Sequence, residues 1–303
     1  WLISYTDIIE KRLQAKKKYK ETKEGKYKAI DEAFKLALNG GSFGKTNEEK
    51  SWQYDPEVTF KVTIGNQIEL LMLIEKLEIN GIHVVSANTD GILCLFNNTL
   101  LELYYRLCKE WESLVGNSIL GNLEYSFYNM FVQTSVNDYL AVKTNQEIKV
   151  KGDFVSDFEL HKDKSAKVIP LALQEYYTKG IKPEDFISKH INIFDFCCCV
   201  RAKGEAKLYA WNKSLQEEQE LQKTVRYFIS NQGVHLLKRL PGLEDKKFNR
   251  QIDIFGNIED GKRESEIEAG YLSTVFNRYI DTKYDINYKY YIDQTYKIIN
   301  QIK

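Results

Sequence analysis

Apolar residues recur at helical spacing at the start of the chain. Ile8, Ile9 and Leu13 make one stripe and Ile30, Phe34, Ala37 and Leu38 a second, so residues 1–46 read as two helices in an antiparallel hairpin. Thr6 or Asp7 is placed to cap the first, with Glu10 in the capping-box position after Asp7, and Glu24-Gly25-Lys26 breaks the run. From about residue 52 the period becomes two: Val58, Phe60, Val62 and Ile64 alternate with Thr59, Lys61 and Thr63, the pattern of a half-buried strand. Gly65-Asn66 then turns the chain into a helix whose Leu70, Leu71, Ile74 and Leu77 face inward, with Gly81 near its end. Two short apolar runs, at 82–85 and 92–96, flank the turn residues Asn88 to Gly91 and predict a tight β-hairpin. A helix is expected from about Leu100 to Leu114, strands at 123–131, 139–143 and 148–154, and helical character after residue 165. The chain closes on a helix striped by Ile292, Tyr296 and Ile299. The fold class expected is α+β, with helices on one face of an antiparallel sheet.

Forty-three basic residues balance forty-three acidic ones, so contact with a polyanion must come from local patches rather than net charge. No apolar run approaches a membrane span and no signal-peptide pattern is present, which predicts a cytoplasmic chain (of the host cell, if viral) without a membrane partner. Five cysteines without a Cys-x-x-Cys pair read as buried thiols in a reducing compartment, because the side chains of consecutive Cys197, Cys198 and Cys199 diverge. His83, His161, His190 and His235 lack ligand spacing, and no zinc site is expected.

Charge and chemistry concentrate at a few places. Asp90 stands at the hairpin tip, where a carboxylate beside apolar strands must be paired, hydrated or metal-bound; an ordinary Asp-Gly turn is the plain alternative. Arg12 and Lys16 lie four apart on the first helix, as do Asp31, Lys35 and Asn39 on the second, with Phe43 following. Three cations turned to one cleft suit a triphosphate, whereas a solvated basic face would show the same spacing. Asn39 to Thr46 falls one residue short of a phosphate loop, but a helix rather than a strand precedes it and polar Asn47-Glu48-Glu49-Lys50 follows. Lys149 and Lys151, beside Gly152, either contact phosphate or protect a strand edge. Lys203 and Arg226 belong to a basic cluster interleaved with Tyr209, Trp211, Tyr227 and Phe228, which is compatible with a nucleic-acid surface.

Lys35-Leu36-Ala37-Leu38-Asn39-Gly40-Gly41-Ser42-Phe43-Gly44, taken with Asn88-Thr89-Asp90, resembles the catalytic core of family B DNA polymerases, especially phage members. The order of elements matches over nearly the whole chain. The resemblance implies a helical-hairpin fingers segment at 1–46, an antiparallel-sheet palm at 47–164 and a mainly helical thumb at 165–303. It implies Asp90 as catalytic residue and metal ligand, with the Thr89 backbone and Asn88 beside it, and two Mg²⁺ ions that Mn²⁺ can replace. It further implies Arg12, Lys16 and Lys35 on the dNTP phosphates, Asn39 and Phe43 around the nascent base pair, and Tyr139 on the primer strand. Departures are Phe43 for the usual Tyr, one extra residue before it, Asn88 for the first Asp of Asp-Thr-Asp, and Asn137 for the usual Lys before Tyr139. The extra residue leaves open which of Gly40, Gly41 or Ser42 faces the nucleotide.

The family's Asp-x-x-Ser-Leu-Tyr-Pro segment, which carries the partner carboxylate, and its exonuclease domain are not in this sequence. The chain is therefore expected to be the C-terminal portion of a longer or split enzyme. Its expected partners are primer–template DNA, dNTPs and an upstream segment supplying the second catalytic Asp. A non-catalytic DNA-binding remnant is the rival from another class, and a P-loop-like NTPase a weaker one.

Overall fold

The computed structural model describes residues 2–41, 43–115, 123–157, 166–240, 250–252, 258–260, 264–276 and 284–302. The chain is mixed α+β with antiparallel sheets. It divides into two units, Trp1–Tyr125 and Ser126–Lys303.

The first unit opens with α1 (Leu2–Thr22) and α2 (Gly25–Gly41), folded back on each other. Ile9, Ala15 and Leu38 are their buried residues, and Lys23 turns the chain with φ 58°. Thr6 and Asp7 lie inside α1, so neither is its cap. A short 3₁₀ helix, Phe43–Asn47, leads to α3 (Pro56–Ile79), then β1 (His83–Ala87), β2 (Ile92–Leu95) and α4 (Leu101–Val115).

The strand expected at 58–64 is instead the first two turns of α3, and Gly65-Asn66 continues the helix. Start signals override the alternation. Asp55 caps the helix by accepting the Val58 N–H at 3.2 Å, Pro56 occupies the first turn and Glu57 faces the positive end of the dipole. Alternating apolar residues wound onto a helix cannot share one face, so Phe60 is left 64% exposed. Further along, Leu73 and Leu77 turn inward onto Ile82, Leu107 and Cys108. Burying each such leucine is worth about 1.5–3 kcal/mol. Gly81, at φ 79°, ends α3: its N–H bonds the Glu78 carbonyl at 3.0 Å and the next N–H, of Ile82, bonds Leu77 at 3.0 Å. Trp111 Nε1 donates to the Glu69 carbonyl at 2.8 Å and ties α4 to α3.

The second unit begins with a three-stranded sheet, β3 (Tyr128–Ser135), β4 (Asp138–Lys143) and β5 (Ile148–Lys151), in that spatial order. Residues 123–127, expected in the first strand, precede it. Leu140 packs one face of the sheet against Phe154 and Leu173 of α5 (Val168–Lys179). Short helices α6 (Pro183–Ile187) and α7 (Ile193–Phe196) follow.

The mainly helical segment expected after residue 165 is not found: nine of the described elements there are strands. They are β6 (Cys198–Arg201), β7 (Lys207–Asn212), β8 (Glu217–Leu221), β9 (Thr224–Ser230), β10 (His235–Arg239), β11 (Arg250–Ile252), β12 (Ile258–Asp260), β13 (Glu264–Ile267) and β14 (Leu272–Val275), before α8 (Tyr288–Ile299). One sheet runs β14-β9-β6, another β13-β10-β7-β8, and β11 pairs with β12. The strand signal was local: Leu208 and Ala210 are buried while Lys207 is exposed, and Val225, Tyr227 and Ile229 share one face of β9. Gln216, at φ 56°, turns β7 into β8.

Tyr291 of α8, wholly buried, locks this unit. Its hydroxyl accepts the Ile229 N–H at 2.8 Å and donates to the Phe196 carbonyl at 2.8 Å. Because β6 pairs with β9 only as far as Cys198–Tyr227, the phenol stands where the strand partner has ended. Tyr291→Phe should therefore cost about 1–3 kcal/mol in urea unfolding, the penalty for two buried polar groups left unpaired.

Glu78 supplies a second check, at the junction of α3 and β1. Its carboxylate accepts the Val84 N–H at 2.5 Å and faces His83, and the amide bond holds its carboxyl below the ordinary range. A depressed folded-state pKa contributes stability at neutral pH that fades as pH falls through that lowered value. The Val84 amide resonance should titrate with a midpoint below that of an unperturbed glutamate, and Glu78→Gln should abolish the titration.

Candidate functional site

β1 and β2 pair with Ala87 opposite Ile92 and Ser86 opposite Leu93, and the register slips at Val85. Val84, Ile92 and Cys94 face the helical core, which anchors the ribbon on one side. At the tip the Asn88 N–H bonds the Gly91 carbonyl at 2.9 Å, and Asn88 Oδ1 accepts the Asp90 N–H at 3.1 Å. Asparagine thus performs the turn closure expected of an Asx residue, and Asp90 keeps its own carboxylate for other use. Asn88, Thr89 and Asp90 are exposed, and no ion pair or hydrogen bond within the described residues engages the Asp90 carboxylate. Asp90 therefore stands exposed at the hairpin tip, while the ribbon behind it is half-buried.

The helical hairpin carries the expected cations in two different conditions. Arg12 Nε donates to Asp31 Oδ1 at 2.9 Å, bracing α1 against α2 on the face of α2 that also holds Lys35 and Asn39. Lys16 Nζ donates to Glu124 Oε1 at 2.8 Å, and Lys20 reaches the same oxygen at 3.3 Å. The Lys16 hydrogen bond holds the Glu124 carboxyl below its usual range. Lys35 is exposed and has no partner among the described residues. Of the three cations expected on one triphosphate, two already face an acid and Lys35 alone does not. Asp31 was visible in the sequence only as a spacing, and Glu124 not at all, because its partner lies 108 positions away.

Phe43 lies partly exposed in the 3₁₀ helix directly after α2, whose last turn carries Asn39. Ser42, between them, lies outside the described residues. The phosphate-loop alternative lacks its geometry. Helix α2 precedes the segment, Lys45 is paired with Glu48, and Thr46 Oγ1 donates to the Phe43 carbonyl at 2.7 Å. A phosphate loop needs a preceding strand and leaves that lysine and hydroxyl free for phosphate and cation.

In the second unit, Leu140, Val142 and Val150 turn toward the core, so Tyr139, Lys149 and Lys151 fall on the opposite face of their sheet. Tyr139 stacks on Phe131 with ring centroids 5.1 Å apart, and the Lys149 ammonium lies 5.9 Å from the Tyr139 ring centre. Lys151 pairs across the ladder with Tyr139 and its Nζ donates to Asn137 Oδ1 at 2.6 Å. A cation thus stands beside Asn137, where the resemblance led to the expectation of a lysine.

Lys203 is exposed in the loop between β6 and β7, and Lys223 closes that loop by donating to the Gly204 carbonyl at 3.0 Å. Arg226, expected in the same basic cluster, is less open than Lys203. It is half-buried on β9, with its guanidinium 6.0 Å from the Phe194 ring centre.

None of the five cysteines is in a disulfide; Cys108 and Cys197 to Cys199 are buried, and burial pushes the Cys197 thiol up to about 12, so it stays protonated. Among the described residues no three His, Cys, Asp or Glu side chains gather as a metal cluster, and no helix is long and apolar enough to cross a membrane. No protein-family model matches this chain, and no curated protein matches it.

Gly152 holds the Tyr139 face in register. At φ 63° it lies so close to Asp138 that a Cβ there would fall 1.7 Å from Asp138 Oδ1 and 2.8 Å from the Asn137 carbonyl. Gly152→Ala should lower stability by about 1–3 kcal/mol through the left-handed backbone alone, and more through the clash. Chemical unfolding measures the loss, and the Tyr139 resonances should shift with it.

Proposed function

We propose that this chain takes part in template-directed DNA synthesis, transferring nucleotides from dNTPs to a primer 3′-hydroxyl, as the C-terminal part of a family B-type DNA polymerase. The observation that carries the reading is Asp90: an unpaired carboxylate held at the tip of a short hairpin by the Asn88 side chain. Nothing in the packing of the first unit calls for an acid there. In support, the element order of a cationic helical hairpin followed by an acid-tipped β-hairpin is that of the motifs the sequence resembles.

A hard divalent cation takes oxygen ligands and suits a bare carboxylate. Asp90 fits as one such ligand, and the Thr89 carbonyl lies on the same turn. Asn88 is the poorer candidate, since its side-chain oxygen already accepts the Asp90 amide. One acid does not hold two ions, so the second carboxylate is assigned to the upstream segment. When bound, a pair of Mg²⁺ ions would acidify the primer hydroxyl and neutralise the departing pyrophosphate.

The chain's own groups have separable tasks in this reading. Lys35, unpaired, neutralises triphosphate charge. Arg12 keeps its Nε on Asp31 and offers the remaining edge of its guanidinium fork to phosphate. Lys16 must release or share Glu124 to join them. Phe43 supplies an apolar wall beside the sugar and base, with Asn39 at the same helix end. In the second unit, aromatic Phe131 and Tyr139 beside Lys149 and Lys151 combine a stacking surface with backbone-neutralising charge, the pairing that single strands and primer termini require.

Primer extension tests this with the full chain alone and with the upstream segment added. The chain alone should not extend. The reassembled enzyme should, and Asp90→Ala should remove extension while leaving the circular dichroism and melting curve unchanged. Extension by the chain alone, or full activity of the Asp90→Ala protein, would overturn the reading. Lys35→Ala should raise the dNTP KM about 10- to 100-fold, the loss of a charge-assisted contact; an unchanged KM removes Lys35 from the nucleotide site.

A further inference from the structure

Arg226 is poorly satisfied by its surroundings. Its Nε is buried without a hydrogen-bond partner, and no described carboxylate is paired with it. Asp195, on the neighbouring α7, is engaged instead by His190 at 2.6 Å and Asn192 at 3.1 Å. The guanidinium rests against Phe194, and its charge opposes the effect of burial on the thiols of Cys197 and Cys199. A desolvated cation among thiols and a phenyl ring is costly unless an anion completes it.

The strand register supplies a second cation at the same spot. Arg226 lies opposite Cys199, and Arg201 lies opposite Thr224, so Arg201 and Arg226 are diagonal neighbours on one face of the β14-β9-β6 sheet. Arg201 and Thr224 are exposed, and Arg201 has no partner among the described residues. Toward the other end this face is closed by Phe194, Phe228, Phe276 and Tyr284, whose rings lie edge to face. Arg226 thus borders these rings, with a second guanidinium and the Thr224 hydroxyl beyond it on the same face.

The geometry points to a phosphate-binding notch, formed by Arg226 and Arg201 with Thr224 at its rim, that takes a backbone phosphodiester of the nucleic acid. Guanidinium is weakly hydrated, stacks on aromatic rings and grips phosphate with two parallel N–H donors. A diagonal pair of arginines, with no acid between them among the described residues, suits a repeating diester better than a single carboxylate. The assignment of nucleic acid as the source of the phosphate rests on the function proposed above; the anion site itself rests on Arg226.

Binding of a fluorescent primer–template duplex to the full chain, followed across a salt series, tests it without requiring catalysis. Arg201→Gln and Arg226→Gln should each weaken binding about 5- to 30-fold and lower the slope of log K against log salt by about one. Arg226→Lys should recover the slope but only part of the affinity. Because Arg226 is half-buried, melting curves accompany each variant, and exposed Arg201 decides the matter if Arg226→Gln does not fold. Unchanged affinity and slope in folded Arg201→Gln would overturn the proposal. Inorganic phosphate that raises the melting temperature of the wild type but not of Arg226→Gln, with duplex binding unaltered in both variants, would overturn the nucleic-acid assignment and leave a small-phosphate site. Arginine-dependent duplex binding without nucleotide addition by the reassembled enzyme would support the notch and sink the polymerase reading. Extension with unaltered binding in both variants would do the reverse.

Discussion

Two hydrogen bonds from one side chain and its own amide govern the candidate site: Asn88 Oδ1 to the Asp90 N–H, and the Asn88 N–H to the Gly91 carbonyl. They close the turn without drawing on the Asp90 carboxylate. Had Asp90 been the residue folding back on the backbone, its charge would be spent on the turn. The exposed acid is therefore a consequence of an amide doing the structural task one position earlier. Val84, Ile92 and Cys94 add the complementary constraint, pinning one face of the ribbon to α3 and α4 while its tip and its outer face, with Val85 and Leu95, stay in solvent.

The same economy appears among the cations. Arg12, Lys16 and Lys45 each meet an acid, on a neighbouring helix, a distant segment or the next turn. Lys35 and Arg201 meet none among the described residues, as is also true of exposed lysines such as Lys11, Lys17 and Lys213, so the buried, unbonded Nε of Arg226 is the more telling feature.

Much of the helical framework was legible. The hairpin of α1 and α2, the α4 helix, the Asn88–Asp90 turn and the closing α8 all follow from local periodicity and turn residues. Alternation misled at 58–64, where Asp55, Pro56 and Glu57 began a helix that a period-two reading passed over. Helical character misled after residue 165, where tyrosines and lysines obscured short strands such as Lys207–Asn212 and Thr224–Ser230. Short strands carry few residues of pattern each, and their stability comes from partners far along the chain, as when β9 pairs with β14.

For the candidate site, the residue types and their order were set locally: the Asn88-Thr89-Asp90-Gly91 turn, the four-residue spacing of Asp31, Lys35 and Asn39, and the alternation that puts Lys149 and Lys151 on one side. Which of these charges is free was not. That depended on Asp31 reaching Arg12 across a helical hairpin, on Glu124 arriving beside Lys16, and on α7 laying Phe194 beneath Arg226. Periodicity fixes the face a side chain occupies because it is a property of one element's backbone. Pairing and desolvation arise between elements, and only the folded chain brings their electric fields within reach of one another.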